Sequence, residues 1–190
     1  MAEHLTPESE PLAEAARVLA RGGLVAYPTE AVYGIGCDPN NSEAVHRLLA
    51  LKQRSISKGL ILIAADTSQL ETWIGTLPHS SWERILATWP GPVTWVVPPG
   101  PSVTPVLRGQ NRGIAVRVTA HPLAAALCRA FGGALVSTSA NRSGEPPARD
   151  IESVRAQFGT CIDYYLQGPL GGRDRPSEIR DAISGAVLRS

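Results

Sequence analysis

Lysine is nearly missing from this chain of 190 residues. Of its 18 basic residues only Lys52 and Lys58 are lysines, which leaves sixteen arginines. Phenylalanine occurs twice, methionine once and cysteine three times. Three cysteines as far apart as Cys37, Cys128 and Cys161 exclude a disulfide framework and a zinc-ligand spacing. They are expected to be small buried hydrophobes. No apolar run is long enough to cross a bilayer; Gly59–Ala65 is among the longest. The first ten residues carry acids where a secretory signal has a basic cluster, and no apolar stretch follows them. Together these absences predict a cytoplasmic protein with no membrane partner.

Further absences exclude chemistries. There is no Walker A sequence and no Gly-x-Gly-x-x-Gly after a strand. There is no Gly-x-Ser-x-Gly elbow. His4, His46, His79 and His121 lack metal-ligand spacing and are expected to be structural or exposed. Nucleophilic-triad hydrolysis and Rossmann redox chemistry fall away.

What is present reads as a globular α/β chain, 43% hydrophobic and 18% charged. Leu12–Arg21 forms an amphipathic helix stopped by Gly22-Gly23. Leu24–Pro28 is a short strand. Ser42 caps a helix running to Leu51. Gly59–Ala65 suits a strand covered on both faces. Weaker helical segments follow at Ser68–Trp73 and Ser80–Trp89. Trp89–Pro92 turns into a strand over Val93–Val97, and Pro98–Arg112 is a loop. Ile114–Thr119 alternates like a strand, and His121-Pro-Leu starts a helix to Phe131. Leu135–Ser139 is a strand, Asp150 caps a helix to Phe158, and Gly185–Arg189 closes the chain as a strand. No strict βαβ repeat appears, so the expectation is one domain over residues 1–190 with a twisted mixed sheet and flanking helices.

The net charge of +1 conceals segregation. From Arg84 to Gly144 there is no acid, while Arg84, Arg108, Arg112, Arg117, Arg129 and Arg142 lie there. A second acid-free stretch, Ala44–Ala65, holds Arg47, Lys52, Arg54 and Lys58. A positively charged concave face that attracts phosphates, nucleotides or RNA is expected, against the alternative of scattered solvated arginines.

Four segments carry candidate chemistry. Tyr27-Pro-Thr-Glu-Ala-Val-Tyr-Gly34 places Thr29 and Glu30 at the carboxyl end of a strand, where α/β sheets gather ligands. Leu51-Lys-Gln-Arg-Ser-Ile-Ser-Lys-Gly59 offers three cations to a polyphosphate. The same cations also suit the C-terminal end of a helix. Val136-Ser-Thr-Ser-Ala-Asn-Arg-Ser-Gly144 is a hydroxyl-rich turn that suits phosphate or ribose. Its hydroxyls could equally bond to neighbouring backbone. Gly171–Asp181 mixes Arg173, Arg175 and Arg180 with Asp174, Glu178 and Asp181, in the manner of a surface salt-bridge loop.

Taken in order, these segments resemble the YrdC/TsaC family of L-threonylcarbamoyladenylate synthases. The matching residues are Tyr27–Gly34, Lys52-Gln-Arg54 with Lys58, Trp89–Thr94, Ala115–Val118 with His121-Pro122, Ser137–Asn141 with Ser143-Gly144, and Pro176-Ser177. The length is similar to the short, single-domain bacterial form. Ser55 stands where the family often has proline, and Ile61 and Leu62 occupy a region where longer relatives place a histidine.

The resemblance implies a YrdC-like fold with a positive concavity. It implies that L-threonine, bicarbonate and ATP give threonylcarbamoyl-AMP and pyrophosphate, for threonylcarbamoyl modification of tRNA adenosine 37. It implies catalytic roles for Lys52 and Arg54. Thr29, Arg117 and Ser177 would contact threonine. Lys52, Arg54, Lys58, Ser139, Asn141, Ser143 and Arg189 would contact ATP. Mg²⁺ is expected with ATP, held mainly by phosphates and not by a protein metal site. Transient partners would be the tRNA threonylcarbamoyl-transferase proteins, and tRNA or double-stranded RNA binding is implied as well. The rivals are a non-catalytic RNA-binding maturation factor and a carbamoyl-transfer module of hydrogenase-maturation type.

Overall fold

The computed structural model describes residues 9–189. His4 and most of the acidic N-terminal stretch lie outside them. The elements in chain order are α1 (Ser9–Ala20), β1 (Val25–Pro28), β2 (Tyr33–Cys37), α2 (Ser42–Leu51), β3 (Ile61–Ala64), α3 (His79–Leu86), β4 (Val93–Val97), α4 (Pro105–Arg108), β5 (Ile114–Val118), α5 (Pro122–Phe131), β6 (Leu135–Ser139), α6 (Ile151–Phe158), β7 (Tyr164–Tyr165), β8 (Glu178–Asp181) and β9 (Val187–Arg189). Short 3-10 turns cover Ile56–Lys58, Thr67–Leu70 and Gly159–Cys161.

The strands form one mixed nine-stranded sheet in the order β7-β1-β2-β6-β3-β5-β4-β8-β9. β3 runs antiparallel to β6 and parallel to β5, so strands distant in sequence meet at its centre. β3 alternates its side chains between two apolar layers. Leu62 and Ala64 join the layer built with α2 and α6, and Ile63 and Ala65 join the layer under α1 and α5. Covering on both faces explains its unbroken apolar sequence. β1 repeats the pattern, with Leu24 and Ala26 on one side and Val25 and Tyr27 on the other.

The helix ends follow local chemistry. Asp150 caps α6 by accepting from the Ser153 amide at 2.7 Å. His121 caps α5 through Nδ1, which accepts from the Ala124 amide at 3.3 Å, while Nε2 sits 3.0 Å from the Pro169 carbonyl oxygen. In that pair of contacts Nδ1 is the acceptor and Nε2 faces a carbonyl. Gly132 ends α5 at φ +86.

Several expectations need correction. The cap of α2 is Asn41, whose side chain accepts from the Ala44 amide at 3.0 Å, and Ser42 is the first helical residue. An oxygen one residue earlier reaches the third amide of the helix, which Ser42 cannot do. The loop Pro98–Arg112 contains α4, begun by a proline at a position that needs no amide proton. The helical segment at Ser68–Trp73 is only the 3-10 turn Thr67–Leu70. Cys37 and Cys128 are buried, but Cys161 is exposed. β2, β7 and β8 were not legible as strands, because two of them hold glycine or charged residues and β7 has only two residues.

Gly36 on β2 shows how closely the centre is packed. A Cβ there would lie 2.5 Å from the Val136 carbonyl oxygen and 2.9 Å from the Tyr27 ring. Both obstacles belong to buried strands that cannot move aside. Gly36→Ala is expected to cost about 1–3 kcal/mol, read as a shifted urea midpoint with an unchanged slope.

Candidate active site

One cavity of about 280 Å³ opens where several strands end. The turn after β1 supplies Thr29 and Glu30, and the start of β2 supplies Tyr33 and Gly34. The last residues of β6 supply Ser137, Thr138 and Ser139. Arg54 comes from the segment after α2, Arg117 from β5, Ser177 from just before β8, and Arg189 from β9.

Thr29 and Glu30 are held by their own turn and by a distant segment. The Thr29 hydroxyl donates to the Val32 carbonyl at 2.6 Å, which leaves its lone pairs free. The amide of Gly171 donates to the Thr29 carbonyl and that of Arg173 to the Glu30 carbonyl, each at 3.0 Å. Gly171 runs so close that a Cβ would lie 2.9 Å from the Glu30 Cα. Only glycine permits this approach. The approach brings Arg173 and Arg175 to the cavity wall.

The lining carries five arginines, Arg54, Arg117, Arg173, Arg175 and Arg189, against one carboxylate, Glu30. That carboxylate is committed. Its Oε2 lies 3.2 Å from Arg117 Nη1, and Oε1 accepts from the Thr119 hydroxyl at 2.7 Å and the Ala120 amide at 3.2 Å. Burial by itself would raise the Glu30 pKa, but Arg117, Thr119 and the backbone amides together hold it below the ordinary value. Apart from this ion pair, Oε2 has no hydrogen-bond partner, and Arg117 Nε is likewise buried without one. Both belong to residues of the cavity wall.

Arg54, Arg189 and Arg117 crowd one another. Arg54 is held below its ordinary pKa by burial and then by Arg189; Arg189 is lowered by burial of its guanidinium and then by Arg117. Arg54 donates through Nε and Nη2 to the Gly59 carbonyl at 3.3 and 3.0 Å. Arg189 donates through Nη2 to the Ser177 carbonyl at 3.0 Å, and Ser177 Oγ accepts from Thr94 at 3.1 Å. Crowded cations of this kind call for an anion between them.

Of the expected residues, Thr29, Arg54, Arg117, Ser139, Ser177 and Arg189 line the cavity together. Lys52, Asn141, Lys58 and Ser143 do not line it. Lys52 is 5% exposed, and burial, followed by the charge of Arg54, lowers its pKa to about 8. Lys58 and Ser143 are exposed. Ser55 caps the 3-10 turn between the cations by accepting from the Ser57 amide at 3.3 Å. Sequence reading placed Glu30, Ser137, Thr138, Arg173 and Arg175 in candidate segments but assigned none of them a ligand. Glu30 stood inside the Thr29 motif and Arg173 beside paired glycines, but neither signal shows which distant group each one meets.

Among the described residues no cluster of three His, Cys, Asp or Glu side chains could hold a metal ion. With Glu30 already paired to Arg117, the lining does not fit a protein-held divalent cation.

An arginine-lined cavity at the strand ends of one mixed sheet, covered on both faces, defines an α/β protein with a site suited to an anion. Residues 17–190 match the family model Sua5_yciO_yrdC, described as "Telomere recombination", and the chain belongs to this Sua5/YciO/YrdC family. It is 54% identical over 181 residues to a protein of Stenotrophomonas maltophilia named threonylcarbamoyl-AMP synthase, covering 94% of this chain and 97% of that one. A protein of the same name from Halorhodospira halophila is 58% identical over 175 residues, 92% of each chain. Among solved structures, Sua5 of P. abyssi complexed with L-threonine superposes with a TM-score of 0.86 at 31% identity. This chain covers 94% of its own length there but 52% of the Sua5 chain, so it spans about half of that protein. No described helix is long and apolar enough to cross a membrane.

Proposed function

We propose that the chain is a threonylcarbamoyl-AMP synthase, making L-threonylcarbamoyladenylate and pyrophosphate from L-threonine, bicarbonate and ATP. The observation that carries the site assignment is the set of five arginines facing one cavity whose single carboxylate is already paired. Such a lining is complementary to a triphosphate and a carboxylate, and none of its hydroxyls has a base placed to activate it as a nucleophile.

The chemistry needs positioning and charge neutralisation more than acid or base groups. Threonine, carboxylated on its amine, supplies a carbamate oxygen that attacks the α-phosphorus of ATP. The bond to the β-phosphate bridging oxygen breaks, and pyrophosphate leaves with that electron pair. Arg54 and Arg189 neutralise the developing charge, with Arg173 and Arg175 in reach of the same space. Arg117 lies on the wall as the cation for the threonine carboxylate, while Thr29 and Ser177 offer hydroxyls. Ser139 faces the α-phosphate or ribose. Lys52, Lys58, Asn141 and Ser143 support the nucleotide from outside the lining. Magnesium would arrive on the triphosphate and be held there by phosphates and water.

The reading extends to a single YrdC-like domain over residues 1–190, to action in the cytoplasm on the tRNA adenosine 37 pathway, and to transient handover of the adenylate to the tRNA threonylcarbamoyl-transferase proteins. A non-catalytic RNA-binding factor is the weaker reading, since relatives matching nearly the whole chain carry an enzyme's name.

Purified protein given ATP-Mg²⁺, bicarbonate and L-threonine is expected to release pyrophosphate, and to release none when threonine is omitted. Equal release with and without threonine would sink the synthase reading. A gel shift with tRNA across a salt titration tests RNA affinity separately.

A further inference from the structure

Lys52 is the residue whose place in the fold departs furthest from what its charge suggests. Its ammonium has three N–H donors, and each has a protein acceptor. They are the Ser139 carbonyl, the Asn141 carbonyl at 2.6 Å and Asn141 Oδ1 at 3.4 Å. The Asn141 amide is consumed in the same way. Its Oδ1 accepts from Lys52 and from the Ser139 hydroxyl at 2.6 Å, and its Nδ2 donates to the Arg142 carbonyl at 3.0 Å and the Glu145 carbonyl at 2.7 Å. Neither residue lines the cavity, whereas Ser139 does. A lysine built to grip a phosphate keeps donors free for it, and this one keeps none.

The peptide plane shows what the arrangement achieves. Each peptide is planar and trans, so its N–H points opposite to its C=O. Pinning the Asn141 carbonyl on Lys52 therefore turns the Arg142 amide away from the ammonium. Among the described residues, the amides of Arg142, Ser143 and Gly144 have no hydrogen-bond partner. Successive free amides in a turn are a receptor for phosphate oxygens.

We propose that Lys52 is a positioning residue that does not touch the nucleotide: its ammonium knots the turn from Ser139 to Gly144 into the shape whose free amides receive a phosphate of ATP. The proposal rests on the synthase reading for the identity of the phosphate donor. Removing the ammonium leaves two carbonyl oxygens and an amide oxygen facing each other, and the turn opens. Arginine cannot replace it, because a planar fork does not meet three oxygens gathered around one tetrahedral nitrogen.

The test is a double-mutant cycle read by calorimetric binding of ATP and, separately, of L-threonine. Lys52→Ala and Asn141→Ala are each expected to weaken ATP binding by about 10- to 100-fold and to leave threonine binding within about twofold. The double variant is expected to bind ATP no more weakly than the weaker single variant, because both act through one turn. Losses that multiply in the double variant would make Lys52 an independent ligand and overturn the proposal. Unchanged ATP binding, or equal loss of threonine binding, would overturn it as well. Should Lys52→Ala fail to fold, Lys52→Arg decides: ATP binding like that of the wild type refutes the positioning role, and a comparable loss with threonine binding intact supports it. Because the readout is binding, its failure is distinct from absent pyrophosphate release, which would count against the synthase reading itself.

Discussion

Replacing Arg54 with alanine is expected to lower kcat/KM for threonine-dependent pyrophosphate release by about 10²–10³-fold while the protein stays folded. Arg54 uses Nε and Nη2 to hold the Gly59 carbonyl, so one edge of the guanidinium is structural. The rest of the group lies on the cavity wall beside Arg189, and that proximity holds its pKa below the ordinary value after the larger effect of burial. In the resting protein this crowding is unfavourable. It is relieved when a polyanion enters, and most fully when charge builds on departing pyrophosphate. Arg54→Lys should recover only part of the activity, since an ammonium cannot hold Gly59 and reach phosphate as a planar fork does. Steady-state kinetics on both variants, with thermal melts as a control for folding, check this. An Arg54→Ala enzyme within about fivefold of the wild type would remove Arg54 from the reacting centre.

Glu30→Ala is expected to be the most damaging single change to stability outside the hydrophobic layers, at about 3–5 kcal/mol. The substitution strands Arg117 beneath the cavity without its counter-charge and leaves the Thr119 hydroxyl and the Ala120 amide without their acceptor. Against a total stability of about 5–15 kcal/mol, such a loss is severe. Glu30→Gln keeps an acceptor for Thr119 and should lose less. The pH dependence follows from the sign of the shift. Glu30 is held below its ordinary value of 4.5, so the folded form binds its proton later than the unfolded form as acid is added. Its contribution is therefore fully present above 4.5 and is lost as pH falls through the lower folded value. Urea denaturation measured down this acid range should fall less steeply in Glu30→Gln than in the wild type. Part of the slope survives in the variant, because Asp163 and Asp181 are also held below their ordinary values. Parallel acid slopes would show that Glu30 carries no linked stability.

Much of the fold was legible because its signals are local. The span of α5 follows from a capping His121, a proline in the first turn and glycine at the end, all within twelve residues. β3 was legible from its unbroken apolar run. β8 was not, since Glu178-Ile-Arg-Asp181 is half-buried at every position and pairs with β4 across more than eighty residues of chain. The same division holds in the cavity. Thr29, Arg54, Arg117, Ser139, Ser177 and Arg189 stood out as polar residues at strand ends or in family motifs. Arg173 and Arg175 looked like a solvated loop until Gly171 was seen pressed against Glu30.

The sequence by itself determined the family, the α/β class, most element boundaries and the segments that supply the cavity's polar lining. These depend on residue type and short spacing, which the covalent chain sets directly. Only the tertiary structure decided what each charged group faces. Lys52 and Ser139 are 87 positions apart, and so are Glu30 and Arg117, yet the crossed strand order makes both pairs neighbours. A charge's work depends on its partner and on the water excluded around it. Here the fold closed all three donors of Lys52 on carbonyl and amide oxygens, paired the one carboxylate that lines the cavity with Arg117, and left four other arginines on the cavity wall.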